Sequence, residues 1–386
     1  MRLSSRALAA VESETLRLSN EAARLRSAGR EILSLLEGEP DLPVPEPIVH
    51  ATTRALESGQ TRYSSSTGLS GLKMALFGKL SDVNAIVTLP ENILITNGAK
   101  QAIYEVLQAL CGPGDEVVIP APCWVTFPES VKLSGAKPVL VDTGADHQLD
   151  LPALRRAITA KTKALILNTP NNPTGAVYRE KDLHSVVELA NEHDLIIIAD
   201  EAYEALVYEG ARHVSVAALG KDAAARTVTV QTFSKSFGMT GYRVGYACGP
   251  AELMQAVGRI HGHVTGNVCT FAQLGALHAV VMAFQTEHRE TWRAEHQKRR
   301  DAAFELGARL FDCVKPQGGL FLFADARRHL GKRFKTSAAL AEHFLRDAGV
   351  AVVPGSAFGR EGFLRLSFSA PVPVLREGFA RLEKAL

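Results

Sequence analysis

The hydrophobic pattern of this chain changes repeatedly between two periods. Short continuous apolar runs, rich in valine, isoleucine and leucine, are typical of strands that are buried on both faces. Between them lie segments with apolar residues every three or four positions, which predict amphipathic helices. The most apolar run, residues 195–199, predicts a central strand. Strands that alternate with helices in this way indicate an α/β fold.

The length of the chain and the order of its elements predict two domains. At 386 residues the chain exceeds the size that one hydrophobic core usually supports. A long charged pattern over residues 287–311 predicts a helix that leads into the second domain. We expect a large domain over residues 46–285 and a smaller α+β domain over residues 286–386. Residues 1–45 are expected to form an arm that associates with the small domain, with an amphipathic helix over residues 8–28.

Charge and cysteine usage narrow the class of protein. A net charge of +2 gives no electrostatic footprint for nucleic acid or for an anionic membrane. The five cysteines are dispersed without Cys-x-x-Cys spacing, which argues against a disulfide framework and against a zinc site. The first 30 residues lack the continuous apolar core of a signal peptide. We therefore expect a cytoplasmic protein without a metal, a nucleic-acid partner or a membrane anchor.

One lysine stands out because of the residues around it. A strand predicted over residues 226–232 delivers Lys235 to its carboxyl end, the edge at which open α/β sheets bind ligands. Arg243 is a permanent cation nearby, and such a neighbour helps a lysine amine to lose its proton and react. Thr232 adds a hydroxyl, and three glycines punctuate the segment. Together these groups suit a phosphate beside a reactive carbonyl, although a lone lysine in a glycine-rich loop is usually just solvated.

This segment resembles the lysine motif of the class I and II aminotransferases, pyridoxal-phosphate (PLP) enzymes of fold type I that include aspartate aminotransferase-like members. The resemblance implies a large domain whose mostly parallel central sheet is sandwiched by helices, plus a smaller α+β domain. It also implies that Lys235 carries PLP as an internal aldimine, while Thr232 and Arg243 bind the cofactor phosphate. Serine is commoner than threonine at the first of these positions, but both keep the hydroxyl.

A turn at Asn97 and Gly98, followed by a predicted helix, matches the phosphate cup of the family. The start of a helix exposes unpaired N–H groups that favour a phosphate. The resemblance implies that Gly98, Ala99 and Lys100 contribute through their backbone. No second glycine follows at dinucleotide spacing, so the nicotinamide fingerprint is absent. Tyr63, in a polar loop, matches a tyrosine that crosses a homodimer interface to the phosphate; otherwise it is a surface residue.

Four further residues match the groups that surround the cofactor ring in this family. Trp124, just beyond a strand end, matches the aromatic side chain that stacks on the pyridine, with core packing as the alternative. Asn172, in an Asn-Pro-Thr-Gly turn with a candidate cis bond, matches the partner of the phenolic oxygen. Tyr203 is expected to bond the same oxygen. Asp200 ends the central strand and matches the partner of the pyridine nitrogen, with a helix N-cap as the alternative.

The substrate contacts expected from the resemblance lie at the two ends of the chain. Gly38 follows an apolar run and matches a position near the substrate carboxylate in the family, with a simple strand-to-turn junction as the alternative. The resemblance implies that Trp124 and Asn172 also face the substrate. Arg365 matches the arginine that binds the α-carboxylate, for which its planar fork is suited. Strand alternation places Arg365 opposite Leu364 and Leu366, away from their apolar face, and a surface arginine is the alternative.

The resemblance implies a transaminase that transfers the amino group of an L-amino acid to a 2-oxo acid by a ping-pong mechanism. Lys235 would move the α-proton, and the ring nitrogen facing Asp200 would make the cofactor an electron sink. Two alternatives stay open: a lyase, synthase or cyclase that uses the same cofactor, and a catalytically silent regulator with the same fold. The intact Lys235, Asp200 and Arg365 argue against the second. The pattern does not indicate which amino donor or oxo-acid acceptor is used.

Overall fold

The computed structural model describes residues 2–4, 7, 8, 10–283 and 286–386. Met1, where the predicted arm begins, and residue 285, where the predicted large domain ends, lie outside the described residues. The same is true of Ala9, within the predicted first helix. Of the helices in the described part, none combines the length and the apolar character needed to cross a membrane.

Helices and strands alternate through most of the described chain. In chain order the strands are β1 (Leu33–Ser34), β2 (Ile93–Thr96), β3 (Glu116–Ala121), β4 (Lys137–Asp142), β5 (Thr162–Asn168), β6 (Ile196–Asp200), β7 (Thr227–Thr232), β8 (Gly245–Cys248), β9 (Asp312–Cys313), β10 (Phe321–Asp325), β11 (Val350–Ala351), β12 (Val353–Pro354) and β13 (Phe363–Ser367). The helices are α1 (Glu14–Ser27), α2 (Glu46–Glu57), α3 (Ser70–Asn84), α4 (Ala99–Leu110), α5 (Thr126–Leu133), α6 (Leu151–Ala157), α7 (Glu180–Glu192), α8 (Lys221–Arg226), α9 (Phe233–Ser236), α10 (Ala251–Val264), α11 (Thr270–Ala283), α12 (Thr286–Leu310), α13 (Ser337–His343) and α14 (Val372–Ala385).

A sheet of seven strands in the described chain forms the centre of the large domain. Its spatial order is β2-β8-β7-β6-β5-β3-β4. Strand β8 runs antiparallel to both of its neighbours, and the other pairs are parallel. Successive residues of β6 pack on opposite faces, Ile197 in a cluster with Leu183 of α7 and Ile198 in one with Ile103 of α4. Helices therefore cover both faces, which confirms the predicted fold class.

The C-terminal elements form a second, smaller layer. An antiparallel sheet of this layer consists of β12, β13, β10 and β9, in that spatial order. The same part of the chain contains the helices α12, α13 and α14. The N-terminal segment joins this layer, because β1 pairs with β11. Leu18 and Leu25 of α1 lie in one hydrophobic cluster with Phe323 and Val353. The domain boundaries stay a prediction, but α1 and the C-terminal layer share a core.

One local expectation differs from the structure. The helix predicted over residues 8–28 begins at Glu14, because residues 10–13 are not helical, and its apolar face is buried against the C-terminal layer. The apolar spacing predicted this helix but could not show where it begins.

Candidate active site

A cavity of about 410 Å³ lies where the carboxyl ends of β5, β6 and β7 meet. Ligands bind at this edge in open α/β sheets. Most of the residues singled out from the sequence line it. They are Gly38, Ala99, Lys100, Trp124, Asn172, Asp200, Tyr203, Thr232, Lys235, Arg243 and Arg365. Residues more than 300 positions apart in the sequence therefore meet around one space, as the resemblance implied.

Gly98 shapes one end of this cavity although it does not line it. Its φ angle is +77°, and a Cβ at this position would lie 2.5 Å from Nη2 of Arg243. A Cβ on Gly245 would lie 2.7 Å from the carbonyl carbon of Gly98. Because Gly98 has no side chain, it leaves the first N–H groups of α4 without a side-chain cap. An anion suits this end of the cavity, since uncapped N–H groups and a guanidinium converge there.

Arg243 and Thr232 are held in place by backbone carbonyls. Nη1 of Arg243 donates to the carbonyl of Thr240 at 2.9 Å, and Nη2 donates to that of Asn97 at 3.2 Å. The hydroxyl of Thr232 accepts from the N–H of Ser234 at 3.2 Å and donates to the carbonyl of Val244 at the same distance. The cation and the hydroxyl both line the cavity with Ala99. These groups fit the phosphate of a cofactor.

Lys235 lies in α9, a single helical turn that follows β7 directly. Its Nζ donates a hydrogen bond to the carbonyl of Gly38 at 2.6 Å. Burial lowers the pKa of Lys235 to about 8, and the nearby cations Arg243 and Arg365 act in the same direction. Much more of this amine is therefore neutral near physiological pH than for an ordinary lysine. A neutral amine is the form that attacks a carbonyl.

Asp200 ends β6 and is 3% exposed. Its Oδ1 accepts from the N–H of Ala202 at 3.1 Å, but a turn and not a helix follows, so the alternative of a helix N-cap is wrong. Burial raises the pKa of Asp200 to about 7. Among the described residues it forms no ion pair. A buried carboxylate in this situation fits a cationic ring nitrogen, which would supply the missing countercharge.

Arg365 is buried, with 3% exposure, so the alternative of a surface arginine is wrong. Every residue of β13 is buried, and the face opposite Leu364 is covered too. The guanidinium lies 4.2 Å from the ring centre of Phe321 and 4.9 Å from that of Phe358. Strand alternation predicted the side on which the arginine lies but could not show these rings.

One of the three guanidinium nitrogens of Arg365 has no hydrogen-bond partner among the described residues. Nη1 donates to Oδ1 of Asn172 at 3.1 Å, and Nη2 donates to the carbonyl of Leu36 at 2.6 Å. Nε is buried and has no hydrogen-bond partner in the described part of the chain. Burial lowers the pKa of Arg365 to about 10, which still leaves it charged at neutral pH. A buried cation with a free donor fits a carboxylate ligand.

The aromatic residues of the cavity have distinct surroundings. Trp124 is half-buried and meets Phe127 edge to face at 5.5 Å between ring centres. Nζ of Lys100 lies 5.2 Å from the centre of the Trp124 ring. Burial lowers the pKa of Lys100, and Arg243 adds to this effect. Tyr203 is buried and faces the cavity. Trp124 is thus available to a planar ring, and Lys100 is a second amine near the same space.

Tyr63, like Gly98, is a predicted site residue that does not line the cavity. It is 97% exposed in the single chain. Its expected contact with a phosphate requires a second copy of the chain, and this role stays a prediction.

Sequence reasoning missed one wall of the cavity. Ser13, Thr15, Leu16 and Ser19, in and just before α1, line it together with Glu37 and Glu39. The small polar residues on a helix with an apolar opposite face were the available signal, but nothing local connected them with Lys235.

Such a cavity can hold a phosphorylated aromatic aldehyde against one lysine and an amino acid against one arginine. That combination defines the class of enzymes that use PLP on amino acids. A family model for aminotransferase class I and II matches residues 30–381, and the chain belongs to this family.

Individual relatives agree with this assignment over whole chains. A probable aspartate/prephenate aminotransferase of Aquifex aeolicus is 39% identical over 378 residues, which cover 97% of this chain and 96% of that protein. The aspartate aminotransferase of Bacillus subtilis is 37% identical, over an alignment that covers 100% of this chain and 98% of that protein. The structure of aspartate aminotransferase from Thermus thermophilus with maleate matches with a TM-score of 0.95 at 38% identity, over all of both chains. The protein is a PLP-dependent aminotransferase of fold type I.

Proposed function

We propose that this aminotransferase holds PLP on Lys235 and transfers the amino group of an acidic L-amino acid, with aspartate as the principal donor, to a 2-oxo acid. The observation that carries the proposal is the meeting of Lys235, Asp200 and Arg365 around one cavity. These residues provide an attacking amine, a carboxylate without a countercharge and a buried carboxylate-binding cation. A regulator without catalysis would have no need to bury all three.

The phosphate of the cofactor would lie at the start of α4. The backbone of Gly98, Ala99 and Lys100 would surround it, with Thr232 and Arg243 beside them. Asp200 would face the ring nitrogen, and Trp124 would stack on the ring. Asn172 and Tyr203 would bond the phenolic oxygen. When bound, PLP supplies an electron sink for the bond broken at the substrate α-carbon.

Residues of the chain would transfer the proton and hold the substrate. The Nζ of Lys235 would take the proton from the substrate α-carbon and deliver it to the aldehyde carbon (C4′) of PLP, since its lowered pKa lets it exchange a proton near neutral pH. Arg365 would fix the substrate through its α-carboxylate, which holds the scissile bond in the orientation that reaction requires. The carbonyl of Gly38 already orients the lysine.

The preference for an acidic donor rests on a second cation. Lys100 lines the same cavity as Arg365, so the two can meet the two carboxylates of one substrate. The names of the relatives and the maleate of the Thermus thermophilus structure, itself a dicarboxylate, agree with this proposal.

Donor kinetics test the proposed substrate. With 2-oxoglutarate as acceptor, we expect aspartate to react with a higher kcat/KM than alanine or phenylalanine. Lys100→Met should raise KM for aspartate about tenfold or more and leave KM for alanine within about twofold. Equal effects on both donors would contradict a side-chain contact. Release of an oxo acid without stoichiometric formation of glutamate would instead favour the alternative of a lyase, synthase or cyclase.

We also propose a cytoplasmic homodimer with shared sites. The full exposure of Tyr63 supports it, and five free cysteines suit a reducing compartment. Co-expression of Lys235→Ala and Tyr63→Ala chains provides a test, because a mixed dimer regains one site with both residues. We expect activity at limiting PLP above that of either variant alone. Activity no greater than the sum of the separate variants would contradict the exchange of Tyr63.

A further inference from the structure

We infer that Gln101 is a positioning residue for the cofactor phosphate, an inference that rests on the proposed function. Both polar atoms of its side-chain amide form hydrogen bonds. Oε1 accepts the N–H of Asn97 at 2.7 Å, and Nε2 donates to the hydroxyl of Thr265, just beyond the end of α10. Gln101 therefore connects the turn before α4 with a helix from another part of the chain.

The turn that Gln101 holds is also the support of Arg243. The N–H of Asn97 is bound by Gln101, and the carbonyl of Asn97 accepts Nη2 of Arg243 at 3.2 Å. Across the same turn, the hydroxyl of Thr96 donates to the carbonyl of Gly98 at 3.0 Å. With both backbone groups of Asn97 occupied, the turn has one orientation. The guanidinium and the uncapped N–H groups of α4 are thereby directed at the same place.

A second contact one turn along α4 strengthens the connection to α10. Gln101 and Glu105 are four residues apart, so they lie on one face of α4. Oε2 of Glu105 lies 2.9 Å from Nδ1 of His261, and both side chains are fully buried. Thr265 lies four residues after His261, and its N–H donates to the carbonyl of His261 at 2.9 Å. Two side-chain contacts thus fix the start of α4 relative to α10.

The physical consequence is preorganisation of the phosphate cup. Groups that already point at an anion need not be ordered when it binds, so less binding free energy is lost. Gln101 does not line the cavity that holds Lys235, and it is not among the residues proposed to touch the cofactor. Its loss should weaken recognition of the phosphate and spare recognition of the ring.

The test compares two ligands that differ only in the phosphate. Apoprotein is titrated with PLP and with pyridoxal, and binding is followed by cofactor absorbance. Gln101→Met keeps the length of the side chain but removes both hydrogen bonds. We expect it to weaken PLP binding about tenfold and leave pyridoxal binding unchanged. Thr265→Val should give a smaller loss in the same direction, and Thr265→Ser, which keeps the hydroxyl, should bind both ligands as the unmodified protein does.

Each other outcome has a definite meaning. If the unmodified protein binds PLP no more tightly than pyridoxal, the phosphate site and with it the proposed function fail. If the unmodified protein prefers PLP and Gln101→Met keeps that preference in full, the positioning role is wrong. An equal loss for both ligands also overturns it, because that indicates a general structural role. If Gln101→Met does not fold, identical PLP affinity of the two Thr265 variants overturns the inference.

Discussion

The amine of Lys235 donates a hydrogen bond to the carbonyl of Gly38, which lies 197 positions earlier in the chain, at 2.6 Å. Gly38 follows β1, and β1 pairs with β11 of the C-terminal layer. The contact therefore joins Lys235, directly after β7, to the segment that follows β1, and both residues line the cavity. Burial at this place lowers the pKa of the amine.

The reactivity of Lys235 should rise at an unusually low pH. Its pKa of about 8 means that the amine is protonated and unreactive below pH 8 and neutral above it. Competitive labelling of apoprotein with trace acetic anhydride between pH 6 and 10, followed by peptide analysis, measures this directly, with exposed Lys384 as a reference. We expect half-maximal reactivity near pH 8. If the reactivity still rose steeply at pH 10, burial would not lower the pKa of this amine.

Asp200→Asn should stabilise the apoprotein while it impairs the enzyme. The pKa of Asp200 is raised by burial to about 7, so its ionised form is unfavourable in the folded state. At pH 8 the substitution should raise the apoprotein Tm by roughly 1–4 °C. The native state binds the extra proton below pH 7, so the gain should shrink between pH 7 and pH 4.

When it is loaded with PLP, the Asp200→Asn enzyme should be less active than the unmodified enzyme. Loss of the countercharge lowers the pKa of the ring nitrogen and weakens the electron sink, so kcat should fall even at saturating substrate. Asn keeps an acceptor for the N–H of Ala202, which controls for the turn contact. A lower Tm at pH 8 with unchanged kcat would mean that Asp200 is only structural.

Arg365→Ala should act on substrate binding. If the guanidinium binds the α-carboxylate, KM should rise for every amino donor by a factor corresponding to about 2–5 kcal/mol. PLP absorbance should survive, because the proposed cofactor contacts remain. Arg376→Ala, at an exposed position on α14, is the matched control and should behave as the unmodified enzyme. An unchanged KM in a folded, PLP-loaded Arg365→Ala protein would remove Arg365 from the site.

Much of the fold and of the site could be predicted because the relevant signals are local. The apolar run before Lys235 and the turn at Gly98 each occupy a few residues. The run before Asp200 is equally short, and each of the three signals lies in a strand of the seven-stranded sheet or directly after its carboxyl end. Since parallel strands end at a common edge, groups at those ends converge without any knowledge of their partners.

The remainder depends on contacts between distant segments. No local pattern indicates that Thr15 of α1 faces the cavity or that Gln101 reaches Thr265. The burial of Arg365 needed Phe358, which lies outside its own strand. Such contacts follow from packing of the two layers, and sequence periodicity carries no information about which layer a side chain will meet.

Two lysines line the same cavity, and the proposed mechanism requires that Lys235, and not Lys100, binds the cofactor covalently. Reduction of the PLP-loaded protein with borohydride, followed by proteolysis and mass spectrometry, identifies that residue. We expect the pyridoxyl group on Lys235, and Lys235→Ala should bind PLP without becoming labelled or turning over substrate. A pyridoxyl group on Lys100 in the unmodified protein, with Lys235 unlabelled, would contradict the account.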